Sequence, residues 1–142
     1  MGKKEIYSIA GKLKGHHDSD INGMIDTWEN LLVSLDQFKT NIHDIGLEYA
    51  EKNHLTTWIV DTSNSTGVFK KEIQGFIESV VAPKCAEIGI KYFFVVLPQS
   101  AIAKLSTKNV AKINSGQEGM QTFEVASVDE ALSMLQEVKL SS

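Results

Sequence analysis

The chain has 142 residues, 42% of them hydrophobic and 23% charged, with a net charge of −4. That is enough chain for one globular domain with a core of its own. The acidic balance argues against a nucleic-acid binder, which needs a basic face to neutralise phosphates, and against an anionic membrane surface.

The apolar runs are far shorter than the roughly 20 residues of a spanning helix, so no membrane span is expected. No apolar stretch follows Lys3 and Lys4, so no signal peptide is expected either. A single cysteine, Cys85, cannot form an internal disulfide, which fits a reducing cytosol and a cytoplasmic location. With no repeat and no linker-like stretch, residues 1–142 are read as one domain.

Tyr7, Ile9 and Leu13 within residues 5–14 give a strand pattern with Gly11 as a bulge. Residues 16–20 (HHDSD) read as a turn, and Asn22-Gly23 is a second turn signal. The stretch MIDTWEN, 24–30, reads as the returning strand. Ser34 and Gln37 form a capping box, with Val33 and Phe38 placed as its hydrophobic staple. Phe38, Ile42, Ile45 and Tyr49 continue a helix to about Asn53.

TTWIV, 56–60, is β-branched and aromatic and predicts a strand. Val68, Phe69, Ile73, Phe76, Ile77 and Val80 predict a second helix, kinked or restarted at Pro83 and ended by Gly89. IKYFFVVL, 90–97, is apolar enough to be buried on both faces, and Pro98 stops it. Ile102, Leu105, Val110 and Ile113 mark a third helix over 100–113, and MQTFEV, 120–125, a last strand. Ser127 and Glu130 open a final helix with Leu132, Leu135 and Val138 turned inward. The order β-β-α-β-α-β-α-β-α predicts an α/β fold, a mixed sheet flanked by helices.

Sites in such sheets lie beyond the carboxyl ends of the parallel strands. One of those ends carries VDTSNSTGVFKKE, 60–72, with four hydroxyls at Thr62, Ser63, Ser65 and Thr66. An anion or a phosphorylated hydroxyl at a helix start would meet unpaired N–H groups and the positive end of the dipole. Lys70 and Lys71 near that first turn would favour it. The plainer alternative is a turn built from ordinary turn and N-cap residues, with Asp61 closing an Asx-turn and the lysines in water.

Asp61 also ends its strand as the phospho-accepting aspartate of a receiver does. That chemistry needs an acidic pair after the first strand and a lysine after the last, where this chain has Ala126 and Ser127. His16 and His17 are neighbours that a strand would point apart, and no set of residues has metal-ligand spacing. Asp26 with Glu29 reads as a solvated carboxylate pair, and Cys85 as a small core residue. Trp28 and Trp58, with Phe69 and Ile73, are candidates to line an apolar cleft between the sheet and the first two helices. A carrier of a lipid-sized molecule would need about 300 Å³ or more there. No catalytic residue, metal or cofactor is expected.

Several of these stretches, from about residue 21 to 135, resemble the SpoIIAA-like branch of the STAS superfamily, also described as STAS/SEC14-like bacterial domains. They are IDTWEN before a capped helix, TTWIVDTSNSTGVF, the interrupted VVAPKCAEIGIKYFFVVLP, LSTKNVAKI and FEVASVDEALSML. The resemblance implies a non-enzymatic bacterial regulatory domain, similar to anti-sigma-factor antagonists, that acts through a protein partner such as a kinase or anti-sigma-like protein. In the sporulation-type members a serine in an Asp-Ser-Ser-Gly context is phosphorylated to choose the partner. Here Asn64-Ser65-Thr66-Gly67 is the nearest match, with asparagine in place of aspartate and a shorter loop. The SEC14-like side implies instead a small apolar ligand or lipid, and a homodimer is compatible with either.

Overall fold

The computed structural model describes residues 2–141. Six strands form one sheet in the order β1-β2-β3-β4-β5-β6. They are β1 Lys3–Ile9, β2 Leu13–Asp18, β3 Gly23–Trp28, β4 Thr57–Asp61, β5 Tyr92–Val96 and β6 Gln121–Val125. The first three pair antiparallel and the last four, from β3 onward, run parallel. The α/β class with a mixed sheet therefore stands, but three strands precede the first helix rather than two.

The extra strand comes from the N-terminal third. Gly11, at φ +71°, turns the chain between β1 and β2, whereas the register shift lies between Glu5 and Tyr7. His16, His17 and Asp18 belong to β2, and the reversal follows at 19–22. Pairing on both sides, Glu5–His16–Ile25 and Lys4–His17–Met24, overrides the turn-like composition of that stretch.

Helix α1 covers 35–52, as Leu35–Phe38, a π segment Lys39–Leu47, and Glu48–Lys52. Its capping box is made: Ser34 Oγ accepts from Gln37 N, and Gln37 Oε1 accepts from Ser34 N. Helix α2 covers 71–88, with a π segment at Ile77–Val81 immediately before the turn that holds Pro83. Proline has no N–H to donate backward, and the wider turn ahead of it is the local response. Gly89, at φ +105°, ends the helix. Helices α3, Ala101–Ser115, and α4, Val128–Ser141, complete the chain. At the start of α4, Ser127 Oγ accepts from Glu130 N, while Glu130 reaches back to the N–H of Ala126.

Side chains alternate across the sheet, so each strand feeds two cores. Met24 and Trp28, Trp58 and Val60, Phe93 and Val95 lie in the larger core, under α1, α2 and α3. Ile25, Ile59, Phe94 and Val96 point the other way, onto Ala131 and Leu135 of α4. Burial on both faces explains why β4 and β5 read as unbroken apolar runs. No helix among the described residues is long and apolar enough to cross a membrane.

Candidate functional site

The alternation that builds the larger core also carries an acid into it. Met24, Asp26 and Trp28 share one face of β3, and Asp26 is only 2% exposed. Its carboxylate is held from two directions. Trp58 Nε1 donates to Oδ2 at 3.0 Å, and the Tyr7 hydroxyl donates to Oδ1. Asp26 is therefore not a member of a solvated pair with Glu29, which is exposed and beyond the end of β3. Burial pushes its pKa up to about 7, against the pull of the Tyr7 and Trp58 hydrogen bonds. The Tyr7 hydroxyl is raised well above its ordinary value by burial and by the neighbouring Asp26 charge.

Tyr7 reaches Asp26 by crossing a whole strand. The register sets Tyr7 opposite Gly15, and Gly15 opposite Asp26, in one row across β1, β2 and β3. The phenol ring lies over Gly15, where a Cβ would stand 2.1 Å from Tyr7 Cε1. From the helix side, a Cβ on Gly46 of α1 would come within 3.0 Å of the same ring. Two glycines thus form the slot through which the tyrosine passes.

Asp26 lies on the wall of a cavity of about 30 Å³ between the sheet and its three covering helices. The sheet contributes Asp26, Trp28, Trp58, Val60 and Phe93. Helix α1 adds Phe38 and Ile42, and α2 adds Ile77, Val81 and Cys85. Phe69 precedes α2, and Val110 and Asn114 come from α3. Every one of these residues is buried. The space is room for about two water molecules, about a tenth of the ~300 Å³ lower bound for a drug-sized pocket. Trp28, Trp58 and Phe69 share this cavity, while Ile73 is fully buried in the same core but does not line it. Trp28 is fixed by edge contact with Phe69 at 5.1 Å and by stacking on Phe38 at 6.2 Å between centroids.

Two buried polar atoms of the lining residues have no partner among the described residues, Trp28 Nε1 and Asn114 Oδ1. Asn114 Nδ2 donates to the Val110 carbonyl at 2.9 Å, which leaves the amide oxygen as a free acceptor. Burial pushes the Cys85 thiol up to about 12, helped by the Asp26 charge.

The loop after β4 is organised differently from the cavity. Asp61 Oδ1 accepts from both the N–H and the hydroxyl of Ser63, an Asx-turn. Thr62 Oγ1 donates to the Val96 carbonyl at 2.6 Å, and Ser65 Oγ to the Thr62 carbonyl at 2.8 Å. Ser65 is buried, and Thr66 is exposed and pairs with Asn30 in an isolated parallel bridge. Helix α2 begins only at Lys71, with Lys70 at the cap position and no side-chain cap. Lys70 and Lys71 thus sit at the helix start, whereas Ser63, Ser65 and Thr66 lie before it, packed onto the ends of β3, β4 and β5.

Comparison with protein-family models, with curated proteins and with solved structures finds no match for this chain. The geometry alone carries the functional reading. The sequence reading does not single out Asp26, Tyr7 or Asn114 as site residues. The signal for Asp26 is an acid in the middle of the apolar alternation Met24-x-Asp26-x-Trp28. Tyr7 and Asn114 carry no such signal, since their roles depend on Gly15 and on the packing of α3. Among the described residues no group of three or more His, Cys, Asp or Glu is placed to hold a metal ion.

Proposed function

We propose that this chain is a non-enzymatic binding domain of the SpoIIAA-like STAS/SEC14-like kind, which senses a small, mainly apolar molecule between its sheet and helices α1 to α3. The observation that carries this reading is the cavity beside Asp26, walled almost wholly by aromatic and aliphatic side chains. Its 30 Å³ admits no lipid as it stands, so a guest must part α1 and α2. Both helices carry a π segment over the cavity, and such segments recur at functional sites. Displacing the helices gives a bound molecule the means to alter the outer surface that a regulatory partner meets.

Native mass spectrometry of the protein purified gently from its own host tests this. A retained small molecule, lost when Cys85→Leu fills part of the cavity, is the expected result. A bare polypeptide whose tryptophan emission also ignores added apolar ligands would overturn it.

A second reading, a phospho-switched partner surface, rests on Thr66. Its hydroxyl is exposed at the loop that bridges to Asn30, so a phosphate there would disturb the contacts with Glu29. Ser65 supports it less, since its hydroxyl is buried against the Thr62 carbonyl. Partner binding unchanged by Thr66→Ala and Thr66→Glu would remove this reading.

A further inference from the structure

The sheet ends on two strands, β1 and β6. A terminal strand leaves a row of backbone N–H and C=O groups with which another strand can pair, and lysines and bulges are the usual guards against it. Strand β1 has both: a register shift between Glu5 and Tyr7, and Lys3 and Lys4 at its start. Strand β6 pairs with β5 in unbroken register and contains neither lysine nor proline.

The hydrogen bonds to β5 show which groups β6 leaves open. Gln121 N–H donates to the Lys91 carbonyl at 2.8 Å, and the Val125 carbonyl accepts from Leu97 N–H at 2.9 Å. Alternate residues of a strand bond to one side. Gln121, Phe123 and Val125 therefore turn to β5, while Thr122 and Glu124 turn their N–H and C=O groups outward. The open row stops at Ala126, whose N–H is taken by Glu130 Oε1 at 3.0 Å.

Helix α3 runs beside this edge with a row of lysines. Lys104, Lys108 and Lys112 recur at four-residue spacing, and Ala101–Ser115 contains no acidic residue. Like charges at that spacing oppose one another along a helix. Lys108 and Lys112 share an open groove with Thr122 and Glu124. Glu124 meets Lys108 at 3.5 Å, and among the described residues no carboxylate pairs with Lys104 or Lys112. On the opposite face of β6, Phe123 is half-buried and stacked on Phe94.

These features select among occupants. A second copy joined edge to edge about an axis normal to the sheet would set its own lysine row against this one. A nucleic acid would bring phosphates to the lysines but not the alternating donors and acceptors of a peptide backbone. We infer that the open edge of β6 takes an extended acidic segment of a partner protein as an added strand. Its carboxylates face Lys108 and Lys112, and its alternate apolar side chains extend the Phe123 face. The edge lies apart from the cavity beside Asp26, so either reading can fail alone.

The probe is an acetylated, amidated heptapeptide alternating glutamate and valine, titrated into the full chain by NMR. It should shift the Thr122 and Glu124 N–H signals and slow their exchange. The same peptide with lysine for glutamate should bind roughly tenfold more weakly or worse, and one methylated on every backbone nitrogen should not bind measurably. Lys108→Glu with Lys112→Glu, both at exposed positions, should reverse the preference between the two charged peptides. Glu124→Pro, checked for folding by circular dichroism, removes an outward N–H that an edge strand can spare. It should abolish binding, although attraction by charge alone would strengthen with the acid gone. Equal binding of the glutamate and lysine peptides would overturn the acidic assignment, and equal binding of the methylated peptide would overturn the strand pairing. Tighter binding of a single-stranded oligonucleotide, self-association that protects Thr122 and Glu124 without peptide, or no binding of the glutamate peptide would overturn the inference outright.

Discussion

Trp58 donates its indole N–H to Asp26 across the β3–β4 boundary, at 3.0 Å, with both residues 2% exposed. The parallel register pairs Asp26 with Val60 and Met24 with Trp58, so the two are diagonal neighbours on one face. A tryptophan is long enough to span that diagonal, and the carboxylate is the group that needs the donor. Trp58→Phe removes the bond and keeps most of the apolar body. The expected cost is about 1.5–3 kcal/mol at pH 8, where Asp26 is ionised, and less at pH 5. Urea unfolding at the two pH values measures it, and an equal cost at both would show that packing rather than the hydrogen bond dominates.

Stability should depend on pH through Asp26 itself. Burial raises its pKa from 3.8 to about 7 in the folded protein. Between those values the native state keeps a proton that the unfolded chain has lost, so stability falls as pH rises. The contribution is fully present below about pH 4 and is lost by the time pH passes about 7, a swing on the order of 4 kcal/mol. Asp26→Asn should flatten that part of the profile. Unfolding midpoints from pH 4 to pH 8 for both proteins give the difference, and parallel profiles would show that Asp26 does not titrate in this window.

Gly15→Ala places a methyl where the Tyr7 ring now lies, 2.1 Å from Cε1. The ring must leave its slot and the Asp26 hydrogen bond with it. Overpacking of this kind costs roughly 1–3 kcal/mol, and the lost bond adds to it. Denaturant unfolding should show the loss, and it should be smaller in a Tyr7→Phe background, where no bond remains to break. A cost unchanged by that background would mean the methyl acts through packing alone.

Cys85 is 1% exposed, lines the cavity, and has its thiol pushed up to about 12. Thiolate is the reactive form, so Ellman's reagent should label the native protein slowly. Labelling requires the helices over the cavity to part, so sub-denaturing urea should speed it. Rapid labelling of the native state, unaffected by urea, would show that the thiol is reached without parting the helices.

In the loop after β4 the two hydroxyls should behave differently. Ser65→Ala removes one of the two hydrogen bonds that the Thr62 carbonyl accepts, leaving that from Ser65 N, and should cost about 1 kcal/mol. Thr66→Ala, at an exposed position, should stay within about 0.5 kcal/mol. Urea midpoints for the two variants decide it, and a larger loss at Thr66 would make its contact with the Glu29 carbonyl structural.

By itself the sequence determined the α/β class, five of the six strands and the start of α1, because these rest on local periodicity and on side-chain capping within four residues. Ser34 and Gln37 meet whatever the rest of the chain does. The alternation in Met24-Ile25-Asp26-Thr27-Trp28 puts Asp26 on the face of Met24 and Trp28, a signal that its reading as a solvated pair with Glu29 leaves unused. Tertiary structure decided which face was buried and what the acid met there. Strand β2 exists because β1 and β3 pair with it, against the turn-like composition of residues 16–20. The link from Tyr7 over Gly15 to Asp26 joins residues 19 apart in the chain, and Asn114 reaches the cavity wall from a helix far along it. Hydrogen bonds and cavities of that kind depend on register and helix packing, which no local stretch of residues encodes alone.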